Sequence, residues 1–244
     1  MRALSCVNSR SQNDYAMARE LLERAIELDP AYAQAYALFA YMLCLEVLYG
    51  WKPREIALAR ALEAAQKAVV LDSEDAWAHF ALGFVYCMTQ RAEEAVFEQE
   101  KALALNPNFA LAYTYQGAAL AYLGRGEDAL LKIDASERLS PRGLFQGVNS
   151  LCRAVAHFTA GRYLDAIFCA RKSILESPGI VTSYRVLVVN CALAGEIDEA
   201  RAALEMVKRL QPDVSLRWIA ESVLWTRERE QQNIIKGFRL AGLE

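Results

Sequence analysis

Pro107 and Pro141 stand 34 residues apart, and Gly83 and Gly117, Ala95 and Ala129, Ala102 and Ser136, and Leu105 and Leu139 keep the same interval. The interval returns between Gly161 and Gly195, Ala166 and Ala200, and Pro178 and Pro212. A fixed period of this length means stacked copies of one supersecondary unit. Each copy leaves an apolar face that only its neighbour can cover, so the architecture is settled before any single residue is read. Such stacks present binding surfaces and seldom carry chemistry, and function has to be argued from particular sites.

The clearest unit runs from Ala76 to Phe109. Its first half, AWAHFALGFVYCMT, has helical periodicity with Leu82, Gly83 and Tyr86 on one face. Its second half, RAEEAVFEQEKALALNP, opens with acidic residues and stops at a proline. Acids suit the positive end of a helix, and proline cannot continue one. The unit reads as helix–turn–helix, with Gln90 and Arg91 in the turn.

His79, Leu82, Gly83, Tyr86, Ala95, Gln99, Ala102 and Pro107 fall at the spacings of the tetratricopeptide repeat, and the unit resembles that family. His79 and Gln99 stand where the family places large aromatics, while the small residues and the proline are all present. The resemblance implies an all-α, right-handed α-solenoid of about six helix–turn–helix units with C-terminal capping helices. Gly83 and Ala95 would let the paired helices approach, and Ala102 would admit the next unit.

The following units carry Tyr113, Gly117, Ala129 and Pro141, then Ala154, Gly161, Ala166 and Pro178, then Tyr184, Gly195, Ala200 and Pro212. About three extra residues lie near Gly143–Gln146. Upstream, residues 15–30 read as the second helix of a first unit whose partner, residues 1–12, is short and polar. The second unit holds about nine inserted residues, expected to lengthen both helices and to lift Tyr49 and Trp51 above the stack. The expected units are 1–32, 33–75, 76–109, 110–146, 147–180 and 181–213, followed by a capping segment, 214–244. Within that cap, Val214–Trp225 and Glu228–Leu240 read as helices. The closing IIKGFRLAGLE and the long second unit also resemble the C-terminal repeat region of bacterial signalling proteins that carry a nucleotide-cyclase or winged-helix effector. Neither effector is found among the 244 residues.

Hydrophobic residues make up 55% of the chain, ample for a packed core, and the formal charge of -3 gives no electrostatic footprint for nucleic acid. Six cysteines form no C-x-x-C pair and follow no signal peptide, so reduced thiols in a cytoplasmic protein are expected. The longest apolar run, Ala35 to Leu45, covers 11 residues and is short of the about 20 that a membrane span requires.

Catalysis finds no candidate residues, and no metal or cofactor set is apparent. His79 and His157 are the only histidines and fall at packing positions without a metal-spaced partner. Ser73 or the acids Asp72, Glu74 and Asp75 read as a helix cap. No phosphate loop or nucleophile elbow occurs. What remains is the concave groove lined by the first helices. By register it presents Tyr41, Trp77, Phe80, Phe84, Met88, Leu111, Tyr122, Val155, Phe158 and Arg185. The chaperone-binding members of the family clamp a terminal carboxylate where this chain has Phe80, Phe84, Thr114 and Ala118, so that partner class is disfavoured. The expected partner is an amphipathic helix or an extended hydrophobic segment of another protein. The same aromatics would be plain core if the superhelix were tight or if the Trp218 and Trp225 helices folded into it. A regulatory module acting on an effector in trans, and a homodimer through the N-terminal unit, are the other readings.

Overall fold

The computed structural model describes residue 3, residues 6–7, 11–141, 143 and 145–244. Thirteen helices follow one another from Gln12, and no strand is found among the described residues. A lone helix α1 (Gln12–Leu28) comes first, and then α2 (Ala33–Leu48) with α3 (Arg54–Leu71). The pairs α4 (Ala76–Met88) with α5 (Ala92–Leu105), and α6 (Ala110–Tyr122) with α7 (Gly126–Leu139), continue the stack. They are followed by α8 (Gln146–Thr159) with α9 (Tyr163–Glu176), and α10 (Val181–Ala194) with α11 (Ile197–Leu210). The cap holds α12 (Leu216–Ser222) and α13 (Glu228–Ala241). Ala3, Cys6 and Val7 are helical too; most of the expected partner helix at 1–12 lies outside the described residues.

The repeat residues explain the boundaries. Helices α1, α5, α7, α9 and α11 each stop two residues ahead of a proline, at Pro30, Pro107, Pro141, Pro178 and Pro212. Proline forces the residue before it out of helical conformation, and Asn106, for example, is extended at φ -138°. In the turns between paired helices, Gly124, Gly161 and Gly195 take left-handed backbone at φ 79°, 75° and 90°. The equivalent residue of the preceding unit is Gln90, at φ 63°.

First helices are buried on nearly every side, whereas second helices bury one stripe. On α5 the buried residues are Ala92, Ala95, Glu98, Gln99 and Ala102. A Cβ placed on Gly117 would lie 2.8 Å from Ile133 Cγ1 and 2.9 Å from the Ala129 carbonyl oxygen, so α6 and α7 touch almost backbone to backbone. Neighbouring units are tied by small polar groups. The Thr114 hydroxyl, 2.8 Å from Ser136 Oγ of its own unit, donates to Asn149 Oδ1 of the next at 2.6 Å, and Ser173 Oγ lies 2.7 Å from Ser183 Oγ of the following unit. Five of the six cysteines are buried free thiols, and burial pushes Cys152 and Cys191 up to about 12. No helix among the described residues is long and apolar enough to cross a membrane.

Helices α2 and α3 have 16 and 18 residues, against 13 and 14 for α4 and α5. Their turn does not stand above the stack. Tyr49 is 5% exposed and stacks on Trp51 at 4.6 Å, and both rings meet Tyr15 of α1 edge-on. Tyr49 also lies against Gly179, Gly50 against Val181, and the Thr182 hydroxyl reaches the Leu48 carbonyl at 3.5 Å. The second unit thus touches the sixth, and the stack closes on itself. Burying a large side chain stabilises by roughly 1.5–3 kcal/mol, so two aromatic rings fold inward instead of projecting into water.

The cap also departs from the sequence reading. Helix ends at Ser222, and residues 223–227 are non-helical until α13 begins at Glu228. The backbone of this stretch bonds to other elements in place of its own preceding turn. The Thr226 amide donates to the Tyr122 carbonyl at 3.0 Å. Beyond it, α13 presses on α10 so closely that a Cβ on Gly237 would sit 2.9 Å from Val189 Cα.

Gly117→Ala is expected to destabilise by about 1–3 kcal/mol through overpacking, a Tm lower by about 2–12 °C for a chain of this size. Gly83→Ala is expected to cost less, because its nearest obstacle is the Gln99 side chain, which can move. Thermal melts of the two variants check the order.

Candidate functional site

The ten residues expected to line the groove fall into two groups. Tyr41, Trp77, Phe80, Phe84 and Leu111 sit where α2, α4 and α6 run side by side. Their rings mesh: Tyr41 with Phe80 at 5.5 Å and Phe84 at 5.9 Å, Trp77 with Phe109 at 5.0 Å, and Phe84 with Tyr115 at 3.9 Å. Phe80 is 0% exposed and Phe84 1%, so this half of the concave face packs as core between first helices.

Met88, Tyr122, Val155, Phe158 and Arg185 form the second group and line a cavity of about 610 Å³. The rest of its wall comes from the turn after α2, from Val186, Val189 and Asn190 of α10, and from the stretch Trp218–Trp225 with Ile234 and Phe238. Its mouth is marked by Lys52, Glu55, Asp213 and Glu221, all exposed.

An extended piece of the chain itself lies along this half. Gln90 Nε2 donates to the Val223 carbonyl at 2.5 Å, and the Thr226 hydroxyl donates to the Tyr122 carbonyl at 3.2 Å. Trp225 inserts edge-on between Tyr122 at 4.8 Å and Phe158 at 5.2 Å. Its indole N–H donates to the Thr159 hydroxyl at 2.8 Å. Arg227 packs over Gly124, and Arg229 comes near Gly161. The segment therefore crosses the helix–helix turns of the third, fourth and fifth units in succession.

Gln90 explains itself at this contact. Left-handed backbone costs a non-glycine residue roughly 1–2 kcal/mol, and a hydrogen bond returns about 0.5–1.5 kcal/mol. The two nearly cancel, so the strain persists because the side chain reaches Val223. The sequence carries a signal for it, namely glutamine where later units have Gly124, Gly161 and Gly195. Trp225 offers no such signal while its stretch reads as helix, and nothing in the sequence pattern marks Arg54 or Asn190.

The histidines are engaged structurally. His79 is 4% exposed; its Nδ1 lies 2.6 Å from Glu98 Oε2 and its Nε2 lies 2.9 Å from the Ser73 carbonyl oxygen. His157 Nδ1 accepts from Arg162 at 3.1 Å. Burial, and then the Arg162 charge, hold the His157 ring below its ordinary value. The cap before α4 is Asp75, which accepts from the Trp77 amide at 3.0 Å. No group of three metal-ligating side chains occurs among the described residues.

Residues 76–109 match the family model described as a tetratricopeptide repeat. The fold is that of tetratricopeptide solenoids in solved structures. TTC0263, a thermophilic protein of Thermus thermophilus, superposes with a TM-score of 0.57 at 19% identity, over 77% of this chain and 97% of that one. PilF of Pseudomonas aeruginosa gives 0.53 at 20% identity, over 87% and 91%. A chain of the APC/C hetero-tetramer Cut9–Hcn1 gives 0.67 at 15% identity, over 99% of this chain and 46% of that chain. No curated protein matches in sequence.

Gln90→Gly is expected to leave stability within about 1 kcal/mol, by the near cancellation above. It should nonetheless speed amide exchange at residues 223–227 and shift Trp225 emission to the red; unchanged exchange would show that Gln90 is no anchor. Because the folded state favours neutral His157, its contribution is intact above the ordinary value of 6.5 and is lost as the pH falls below it. Melts at pH 8 and pH 5.5 are expected to show a smaller acid-induced fall in His157→Gln than in the wild type.

Proposed function

Taking the chain as a stack of tetratricopeptide repeats, we propose that it is a non-catalytic scaffold that receives an apolar segment of a partner protein in the concave channel. The docking half is the one formed by Met88, Tyr122, Val155 and Phe158. The observation that carries this reading is the extended segment already seated there, residues 223–227. It is held by a backbone hydrogen bond from Thr226 to Tyr122 and by the Gln90 side chain on the Val223 carbonyl, with one aromatic ring inserted between two others. A channel that binds its own chain this way offers the same acceptors and the same slot to another chain. The Cut9–Hcn1 structure, similar in fold, is a hetero-tetramer. The aromatic half around Phe80 and Phe84 supports the channel from beneath. Five buried free thiols suit a reducing compartment such as the cytoplasm.

A second reading is favoured by the outer face. Phe97, Leu131 and Phe168 occupy the same repeat position, ten residues before Pro107, Pro141 and Pro178, and are 56%, 66% and 68% exposed. Large apolar side chains left in water at regular spacing also mark a docking surface.

Partner capture by four proteins separates the two. Trp225→Ala is expected to capture more of a given partner than the wild type, and adding Tyr122→Ala to lose it. Replacing Phe97, Leu131 and Phe168 by Ser should leave capture unchanged. The opposite pattern, with capture lost only in the triple variant, moves the function to the outer face.

A further inference from the structure

Two arginines line the cavity behind residues 223–225, and the partners that hold them are neutral. Arg54 donates to the Met88 carbonyl, while Arg185 donates to Gln211 Oε1 and lies over the Trp218 ring at 4.5 Å. Within the same lining, Arg185 Nε and Asn190 Oδ1 are buried with no protein partner. Burial, and then the charge of Arg54, lower Arg185 to about 9. A buried cation that meets a second cation and no carboxylate destabilises the fold, since desolvation is not offset by attraction.

The remaining walls are mainly apolar, with Leu48, Met88, Val186, Val189, Ile219 and Phe238 among them. A volume of about 610 Å³ falls in the range of small-molecule sites, where a few polar groups orient a mostly apolar ligand. At the mouth the exposed acids Glu55, Asp213 and Glu221 outnumber Lys52, and this net negative rim passes a compact monoanion more readily than a polyanion.

We infer that the cavity is a binding site for a small amphipathic carboxylate, its apolar body among Val186, Val189, Ile219 and Phe238 and its carboxylate on Arg54 and Arg185. A guanidinium offers a carboxylate two parallel N–H donors, and an anion there neutralises the repulsion between the two arginines. Asn190 Oδ1 is left to accept from a polar group on the ligand body. The site does not depend on a protein partner in the channel.

Calorimetric titration of the full chain with decanoate, decan-1-ol and inorganic phosphate tests this. Decanoate is expected to bind at one site per chain, and decan-1-ol at least about tenfold more weakly, or about 1.4 kcal/mol. Arg185→Met and Arg54→Met should each weaken decanoate by about tenfold or more, with Arg185→Lys in between. Without ligand, Arg185→Met should melt no lower than the wild type, since it removes an unpaired buried charge; lost binding is then not lost folding. Equal binding of decanoate and decan-1-ol would overturn the inference. So would an unchanged affinity in Arg185→Met, tighter binding of phosphate than of decanoate, or no binding of any probe. If Arg185→Met does not fold, Arg54→Met is read alone.

Discussion

Everything else in the molecule follows from how closely the paired helices approach. Gly117 lies against Ile133 and the Ala129 backbone, and Gly83 against Gln99 and the Ala95 backbone. With pairs this tight, the first helices stand in a row close enough for Tyr41, Phe80, Phe84 and Tyr115 to interlock. A first helix so placed is covered by its partner, its neighbours and the inside of the curve. That is why α4 and α6 are almost continuously apolar, while α5 and α7 keep charged outer faces.

Curvature creates a second requirement, because a concave apolar face has to be covered by something. Here the chain covers it twice. The lengthened second unit reaches the end of the fifth through Tyr49 and the sixth through Leu48 and Gly50, and the C-terminal segment returns across the turns of the middle units to insert Trp225. Neither closure is complete. Between them remains the cavity that holds Arg54 and Arg185, and the strained backbone of Gln90 stands at its edge as the clamp on the returning segment.

Much of this is legible in residue spacing. Prolines mark the ends of α1, α5, α7, α9 and α11, though not of α3, because proline acts on the residue before it and on nothing distant. Gly83, Ala95, Gly117 and Ala129 announce helix pairing, because only small side chains permit it. By spacing alone Tyr49 and Trp51 project, since a count of inserted residues carries no information on what lies opposite. Val223–Trp225 read as helix because their composition allows one, and only the acceptor at Tyr122 and the donor at Gln90 pull that stretch straight. Register alone picks ten residues of the first helices as candidates for the concave face. Which of them are core and which border a cavity depends on two elements far away in sequence.

The repeat, the helix boundaries and the pairing were thus written in the residues themselves, as local consequences of proline, glycine and alanine at fixed spacing. Folding in three dimensions settled the rest: where the stack closes, which half of the concave face keeps space beside it, and that two arginines more than a hundred residues apart share that space. The difference is one of range. Backbone sterics act over a few residues, whereas the cost of exposing an apolar face, or of burying a charge, is set by whatever part of the chain the superhelix brings opposite.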